Sequence, residues 1–206
     1  MNPDPIIHVD YNGIVVIVGN YGSGKTEVAI NLAVTEKQAG KPVQVADLDL
    51  VNPYFRTREA RKQLRLLGID VILPQERYLK ADLPILSPAV AAMIRTKDIL
   101  AILDVGGDGV GATVLAALAE AFKKRQATVL QVINPFRPYT DTLEGCEKIR
   151  TEIEMNAGMK ISGIVSNANM IQDTTMEHIR QGYDFILRLA DRSGLPVAFI
   201  TVPEKL

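Results

Sequence analysis

Five consecutive apolar residues, Ile14-Val15-Val16-Ile17-Val18, run straight into Gly19-Asn20-Tyr21-Gly22-Ser23-Gly24-Lys25-Thr26, and a helix-periodic stretch begins at Lys25. No other feature constrains the chain as tightly. A strand that is apolar at successive positions has to be buried on both faces, which calls for a parallel sheet covered by helices on either side. The glycine-rich segment matches G-x-x-x-x-G-K-[ST] in the strand, loop, helix setting that this phosphate-binding motif requires. Glycines allow successive backbone N–H groups to turn inward, and the start of the helix adds the positive end of its dipole. Such a loop cradles a polyphosphate. Its candidate lining is Gly19, Asn20, Tyr21, Gly22, Ser23, Gly24, Lys25, Thr26 and Glu27. Lys25 is expected at the β- and γ-phosphates, and the Thr26 hydroxyl as a ligand of the Mg²⁺ that bridges them.

The rest of the chain repeats the pattern. Strands are expected near 14–18, 43–47, 69–72, 99–104, 127–133, 161–166 and 197–201, alternating with helices near 25–39, 54–67, 88–96, 111–125, 139–156 and 174–193. This predicts an α/β fold: a three-layer, doubly wound, mostly parallel seven-stranded sheet in one nucleotide-binding domain spanning 1–206. Function in such a fold sits at the carboxyl ends of the strands. Glycine and aspartate concentrate at those ends after the first, second and fourth strands. The one irregular stretch is 73–87, with Pro74 and Pro84.

The second strand leads into Asp47-Leu48-Asp49-Leu50-Val51-Asn52-Pro53, and the fourth ends in Asp104-Val105-Gly106-Gly107. Asp104, after four apolar residues, is placed like a carboxylate that holds a Mg²⁺-bound water, and Gly107 is a candidate N–H donor to the γ-phosphate. Asp47 and Asp49 suit either of two tasks, orienting the attacking water or completing the metal's surroundings. The catalytic candidates are thus Lys25, Asp47 and Asp49, and the metal candidates Thr26, Asp47 and Asp104.

A strand, a Walker A loop and a helix, then D-x-D-x-x-N-P, then D-x-G-G, together resemble the MinD/ParA-type P-loop ATPases of the SIMIBI class, the CobQ/CobB/MinD/ParA group, from about residue 13 onward. The resemblance implies that Ser166-Asn167-Ala168-Asn169 and Val202-Pro203-Glu204 flank adenine, with Asn167 as base reader and Pro203 beside it. Guanine readers of the N-K-x-D type follow that Asn with an Asp, and Asn169 is read as standing in its place, which favours ATP. The chain departs from the family's "deviant" loop, in which a second lysine reaches a dimer partner's phosphates, by carrying Asn20 there. It also lacks the CxxC pair of the ArsA-like and iron-protein-like members.

The implied function is a slow Mg²⁺-dependent ATPase that cycles between ATP and ADP as a conformational switch. A protein client or a second copy of the chain would read the switch, whose moving parts are Asp47–Pro53 and Gly106–Gly111. The alternative is an ATP-dependent transferase or ligase of the dethiobiotin- or cobyrinate-synthetase kind, for which only 73–98, with Arg77, Lys80 and Arg95, offers an acceptor site. Composition narrows the partners. With 23 Lys and Arg against 24 Asp and Glu, no net field attracts nucleic acid. A single cysteine and two histidines do not suffice for zinc or an iron–sulfur cluster. Apolar runs shorter than the ~18 residues needed to cross a bilayer and a start without signal-peptide character point to the cytoplasm.

Several side chains have two readings. Arg58, Arg61, Lys62 and Arg65 form a basic helix face opposite Ala60, Leu64 and Leu67, either a docking face or solvated charge. Arg56, beside Tyr54 and Phe55, is an arginine-finger candidate or a local ion pair. Asn134-Pro135-Phe136-Arg137-Pro138 is placed to wall the site, with no chemistry assigned. His178 and Cys146 read as structural.

Overall fold

The computed structural model describes residues 11–49, 57, 60–73, 88–106, 115, 116, 118, 122, 125 and 127–206. In chain order the elements are β1 (Ile14–Val18), α1 (Lys25–Gln38), β2 (Val43–Leu48), α2 (Arg61–Leu66), β3 (Asp70–Ile72), α3 (Pro88–Arg95), β4 (Leu100–Val105), β5 (Ala127–Ile133), α4 (Leu143–Ala157), β6 (Gly163–Ser166), α5 (Met176–Ser193) and β7 (Val197–Ile200). A 3₁₀ turn, Ile171–Asp173, precedes α5, and Leu115, Ala116, Leu118 and Phe122 are helical between β4 and β5.

The sheet has seven strands in the order β3-β2-β4-β1-β5-β6-β7, and every pairing is parallel. β1 lies at the centre, where the chain's winding reverses, and both faces of it are closed to water. Ile14, Val16 and Val18 pack with Val90, Met93 and Ile94 of α3 and with Leu115, Leu118 and Phe122. Val15 and Ile17 face the other way, onto Val28, Ala29, Leu32 and Ala33 of α1 and Leu64 of α2. These faces are the three layers expected from the sequence, and they explain why β1 carries no polar side chain. Ile133, Cys146, Ile164, Ile186 and Leu189 form a third cluster under α4 and α5. Among the described residues no helix is long and apolar enough to cross a membrane.

Two helices begin later than their periodicity predicts. Helix α2 starts at Arg61 rather than at 54, because Thr57 and Ala60 are in turns and the Thr57 hydroxyl is bonded to the tip of β4. Its exposed Leu67 lies beyond the last helical turn, so the apolar face opposite the basic residues reduces to Leu64, with Ala60 at the margin. Arg58 lies outside the described residues, as do Tyr54, Phe55 and Arg56. Helix α4 starts at Leu143 rather than 139, because Tyr139 has a left-handed φ of 69° and Thr142 caps the helix by accepting from the Gly145 N–H.

Candidate functional site

Two glycines shape the loop between β1 and α1. Gly19 has φ of +151°, and a Cβ there would stand 2.4 Å from the Val132 carbonyl oxygen of β5. Gly24, in the position before α1, has φ of +89°, and its Cβ would stand 2.2 Å from the Asn167 amide nitrogen. Both close approaches exclude any side chain. Lys25 is buried, and its ammonium donates to the Asn20 carbonyl at 3.0 Å, so the charge is held over the loop rather than released to solvent. Tyr21 is exposed at the rim, and Ser23 and Thr26 are buried.

The acidic side chains converge on the same place. β2 and β4 pair with Asp47 opposite Asp104, so parallel register sets the two carboxylates side by side at the strand tips. Both are fully buried, and Asp49 nearly so; the Asp49 N–H donates to Asp47 Oδ1 at 3.2 Å. Thr57 Oγ1 donates to Asp104 Oδ2 at 2.8 Å, while Asp104 Oδ1 is buried with no hydrogen-bond partner. Burial raises the Asp104 pKa to about 6; hydrogen bonding from Thr57 and Thr26 lowers it, the neighbouring Asp47 charge raises it, and Lys25 lowers it. A desolvated carboxylate with an orphaned oxygen beside a threonine hydroxyl fits a divalent cation that takes its remaining ligands from phosphate and water. Among the described residues no three His, Cys, Asp or Glu side chains cluster to hold a metal unaided.

On the other side of the loop, the Asn167 amide donates to the Ser23 carbonyl at 2.7 Å, and its oxygen accepts from the Thr201 hydroxyl. Asn167 thereby joins the loop to β6 and β7. A cavity of about 840 Å³ opens beside it, between α1 and the chain that follows β7; Glu27, Asn169, Thr201 and Pro203 are in its lining. That volume suits a small-molecule ligand. Counted from Asn167, the acidic position of N-K-x-D falls on Met170, which corrects the placement on Asn169; neither residue is acidic. Asn169 Oδ1 instead accepts from the Ile171 N–H in a local turn.

The sequence profile of the CobQ/CobB/MinD/ParA nucleotide-binding domain matches residues 14–198. The chain belongs to this family. Its fold is also that of the cell division protein FtsY from Thermotoga maritima, at 22% identity and a TM-score of 0.65, over 96% of this chain and 64% of that one. The signal recognition particle 54 kDa protein of Aeropyrum pernix, solved with GDP, aligns over 98% of this chain and 44% of its own, at 18% identity and a TM-score of 0.59. A nucleotide-binding protein of Archaeoglobus fulgidus, solved with ADP, aligns over 94% and 83%, at 18% identity and a TM-score of 0.53. No curated protein sequence matches this one. The chain therefore spans under two thirds of the FtsY it resembles, and its family makes it a nucleotide-binding P-loop NTPase domain of the SIMIBI class.

As a member of the CobQ/CobB/MinD/ParA family, the domain brings together Gly19 to Thr26, Asp47, Asp49 and Asp104 around one loop, with Glu27, Asn167 and Pro203 at the neighbouring cavity. Gly107 lies outside the described residues, as do most of both expected switch segments and Arg77 and Lys80. Arg95 ends α3 exposed to solvent. Two neighbours escaped the sequence reading, Thr57 on Asp104 and Thr201 on Asn167, while Arg137, from the segment expected to wall the site, lies against Gly22. Each reaches its place through tertiary contact, and no motif announces it. His178 is structural as expected: its ring accepts from the Thr175 N–H in the capping box of α5 and meets the Phe136 ring edge-on. Cys146 is buried, and desolvation pushes its thiol pKa to about 12, which leaves it unreactive.

Proposed function

We propose that the domain, working as one unit, binds Mg²⁺·ATP, hydrolyses it slowly, and uses the difference between the ATP and ADP states as a switch read by a protein partner. The observation that carries this reading is the register pairing of Asp47 with Asp104 beside Lys25 and Thr26, with Asp104 Oδ1 left buried and unsatisfied. Inward N–H groups and Lys25 hold the phosphate chain, and the Thr26 hydroxyl and Asp104 carboxylate hold the metal side. Asp49 and Asp47, buried at the tip of β2 beside Asp104, are the carboxylates assigned to orient a water for in-line attack. A bound magnesium would supply neutralisation of phosphate charge there. Asn167 has a second N–H and a second lone pair beyond its bonds to Ser23 and Thr201, enough to read an adenine edge. The lack of an acidic residue at 169 and 170 removes the partner that guanine's ring N–H groups need, which supports ATP over GTP.

Phosphate release with ATP and with GTP tests the reading. ATP is expected to be hydrolysed in preference to GTP, and Asp47→Asn and Asp49→Asn are expected to keep ATP binding while turnover falls at least about a hundredfold. Normal turnover in both variants would refute the assigned chemistry. Equal or better use of GTP would refute the base assignment alone.

A further inference from the structure

We infer that Arg137, on the loop after β5, is a second phosphate-binding cation of this site, acting within its own chain on the polyphosphate that the P-loop holds. The inference deepens the nucleotide-binding reading and depends on it. A Cβ added to Gly22 would lie 3.9 Å from both Cδ and Nε of Arg137, so the base of the guanidinium lies against the fourth residue of the phosphate loop. Its Nε is buried and has no hydrogen-bond partner, and no ion pair engages its guanidinium among the described residues. Arg137 is half-buried, and a guanidinium nitrogen shut off from water and left unsatisfied is costly unless an acceptor such as an anion completes it. Here the adjacent structure is a loop whose backbone is built to take one.

The loop that carries Arg137 is held from several directions. Asn134 Nδ2 donates to the Asn169 carbonyl at 2.8 Å, and Asn134 Oδ1 accepts from the Phe136 N–H at 3.1 Å. The Thr140 hydroxyl donates to the Asn134 carbonyl at 2.7 Å, and Asn20 Nδ2 donates to the Pro138 carbonyl at 3.1 Å. Phe136 packs edge-on against His178, with ring centres 5.3 Å apart. Asn20 therefore fastens the P-loop to the Arg137 loop from the position at which deviant loops of the family carry a second lysine. The backbone that carries Arg137 is thus ordered before any ligand binds, and the planar guanidinium fork matches phosphate oxygens. The loop itself supplies a single cationic side chain, Lys25, against the several charges of a triphosphate.

Calorimetric titration of the full chain with ATP and with AMP, in Mg²⁺, tests this. Wild type, Arg137→Ala, Arg137→Gln and Arg137→Lys are compared, with melting temperatures measured without nucleotide. Arg137→Ala is expected to weaken ATP roughly 10- to 100-fold and AMP by less than about threefold. Arg137→Lys should restore part of the loss, and Arg137→Gln, which keeps the stem over Gly22, should lose as much as alanine. ATP affinity within about twofold of wild type in Arg137→Gln overturns the inference. So does an equal loss for AMP and ATP, which would mark a packing role. Wild-type protein that binds neither nucleotide overturns the underlying site, a result read from the wild-type arm alone and thus distinct from failure of the Arg137 assignment.

Discussion

The two flanks of the phosphate loop are built on opposite principles. Toward β5, β6 and β7, Arg137 apart, the side chains are neutral amides and hydroxyls whose bonds are made within the protein: Asn134 to Asn169, Asn167 to Ser23, Thr201 to Asn167. Toward β2 and β4 they are carboxylates pressed together by register, and one oxygen of Asp104 has no partner. A satisfied neutral network holds a shape whether or not a ligand is present, whereas paired buried carboxylates cost stability until a cation neutralises them. One flank sets the frame of the loop. The other stores the electrostatic demand that a metal–nucleotide complex would satisfy.

Lys25 stands between the flanks, and its removal should have the largest effect. Lys25→Ala is expected to weaken ATP at least about a hundredfold, as the loss of charge-assisted bonds to two phosphates implies. Calorimetry with ATP measures it. The flanks themselves should answer mutation with opposite signs. Asn167→Ala leaves the Ser23 carbonyl and the Thr201 hydroxyl without their partner, at about 1–3 kcal/mol, so the nucleotide-free protein should melt roughly 3–8 °C lower. Asp104→Asn removes a buried charge and keeps an acceptor for Thr57. Its nucleotide-free form should melt about 2–5 °C higher at pH 8 while Mg²⁺-dependent turnover is lost. Melting shifts of the same sign in the two variants would erase the distinction between frame and demand.

The smallest effect is one of pH. The folded Asp104 carboxyl titrates at about 6 against an ordinary 3.8, so between these values the folded chain holds a proton that the unfolded chain has released. Its contribution to stability is full below about 4, fades as pH rises through 6, and is absent above. Nucleotide-free wild type should therefore lose stability over that window relative to Asp104→Asn. Magnesium-dependent ATP binding should strengthen over the same window, because the metal requires the ionised carboxylate. Parallel denaturant melts and titrations from pH 4.5 to 8 separate the two trends, and identical pH profiles for wild type and Asp104→Asn would contradict the assignment.

Much of the fold is legible from local pattern. The apolar run Ile14–Val18 announces a strand buried on both faces, and the spacing from Gly19 to Thr26 announces the cradle, because both depend on neighbouring residues and on backbone geometry that few residue types permit. Errors fall where a bond overrides the helical period. Helix α2 is shorter than its periodicity because Thr57 reaches Asp104, 47 residues away, and α4 starts late because Tyr139 is left-handed and Thr142 caps the helix. Asn167 is legible as a candidate at a strand end, but its grip on the loop at Ser23, 144 residues distant, is not.

The linear order of residues was enough to determine the strand–loop–helix cradle, the alternation that makes a doubly wound sheet, and the identity of the acidic tips, since each follows from periodicity and the torsions open to glycine. Only the tertiary structure decided that Asp47 and Asp104 share a register, that Asn167 and Thr201 hold the loop's far side, and that Arg137 lies against Gly22. Those relations are set by strand order and by packing between distant segments, and a one-dimensional pattern carries no record of which strand tips become neighbours in space.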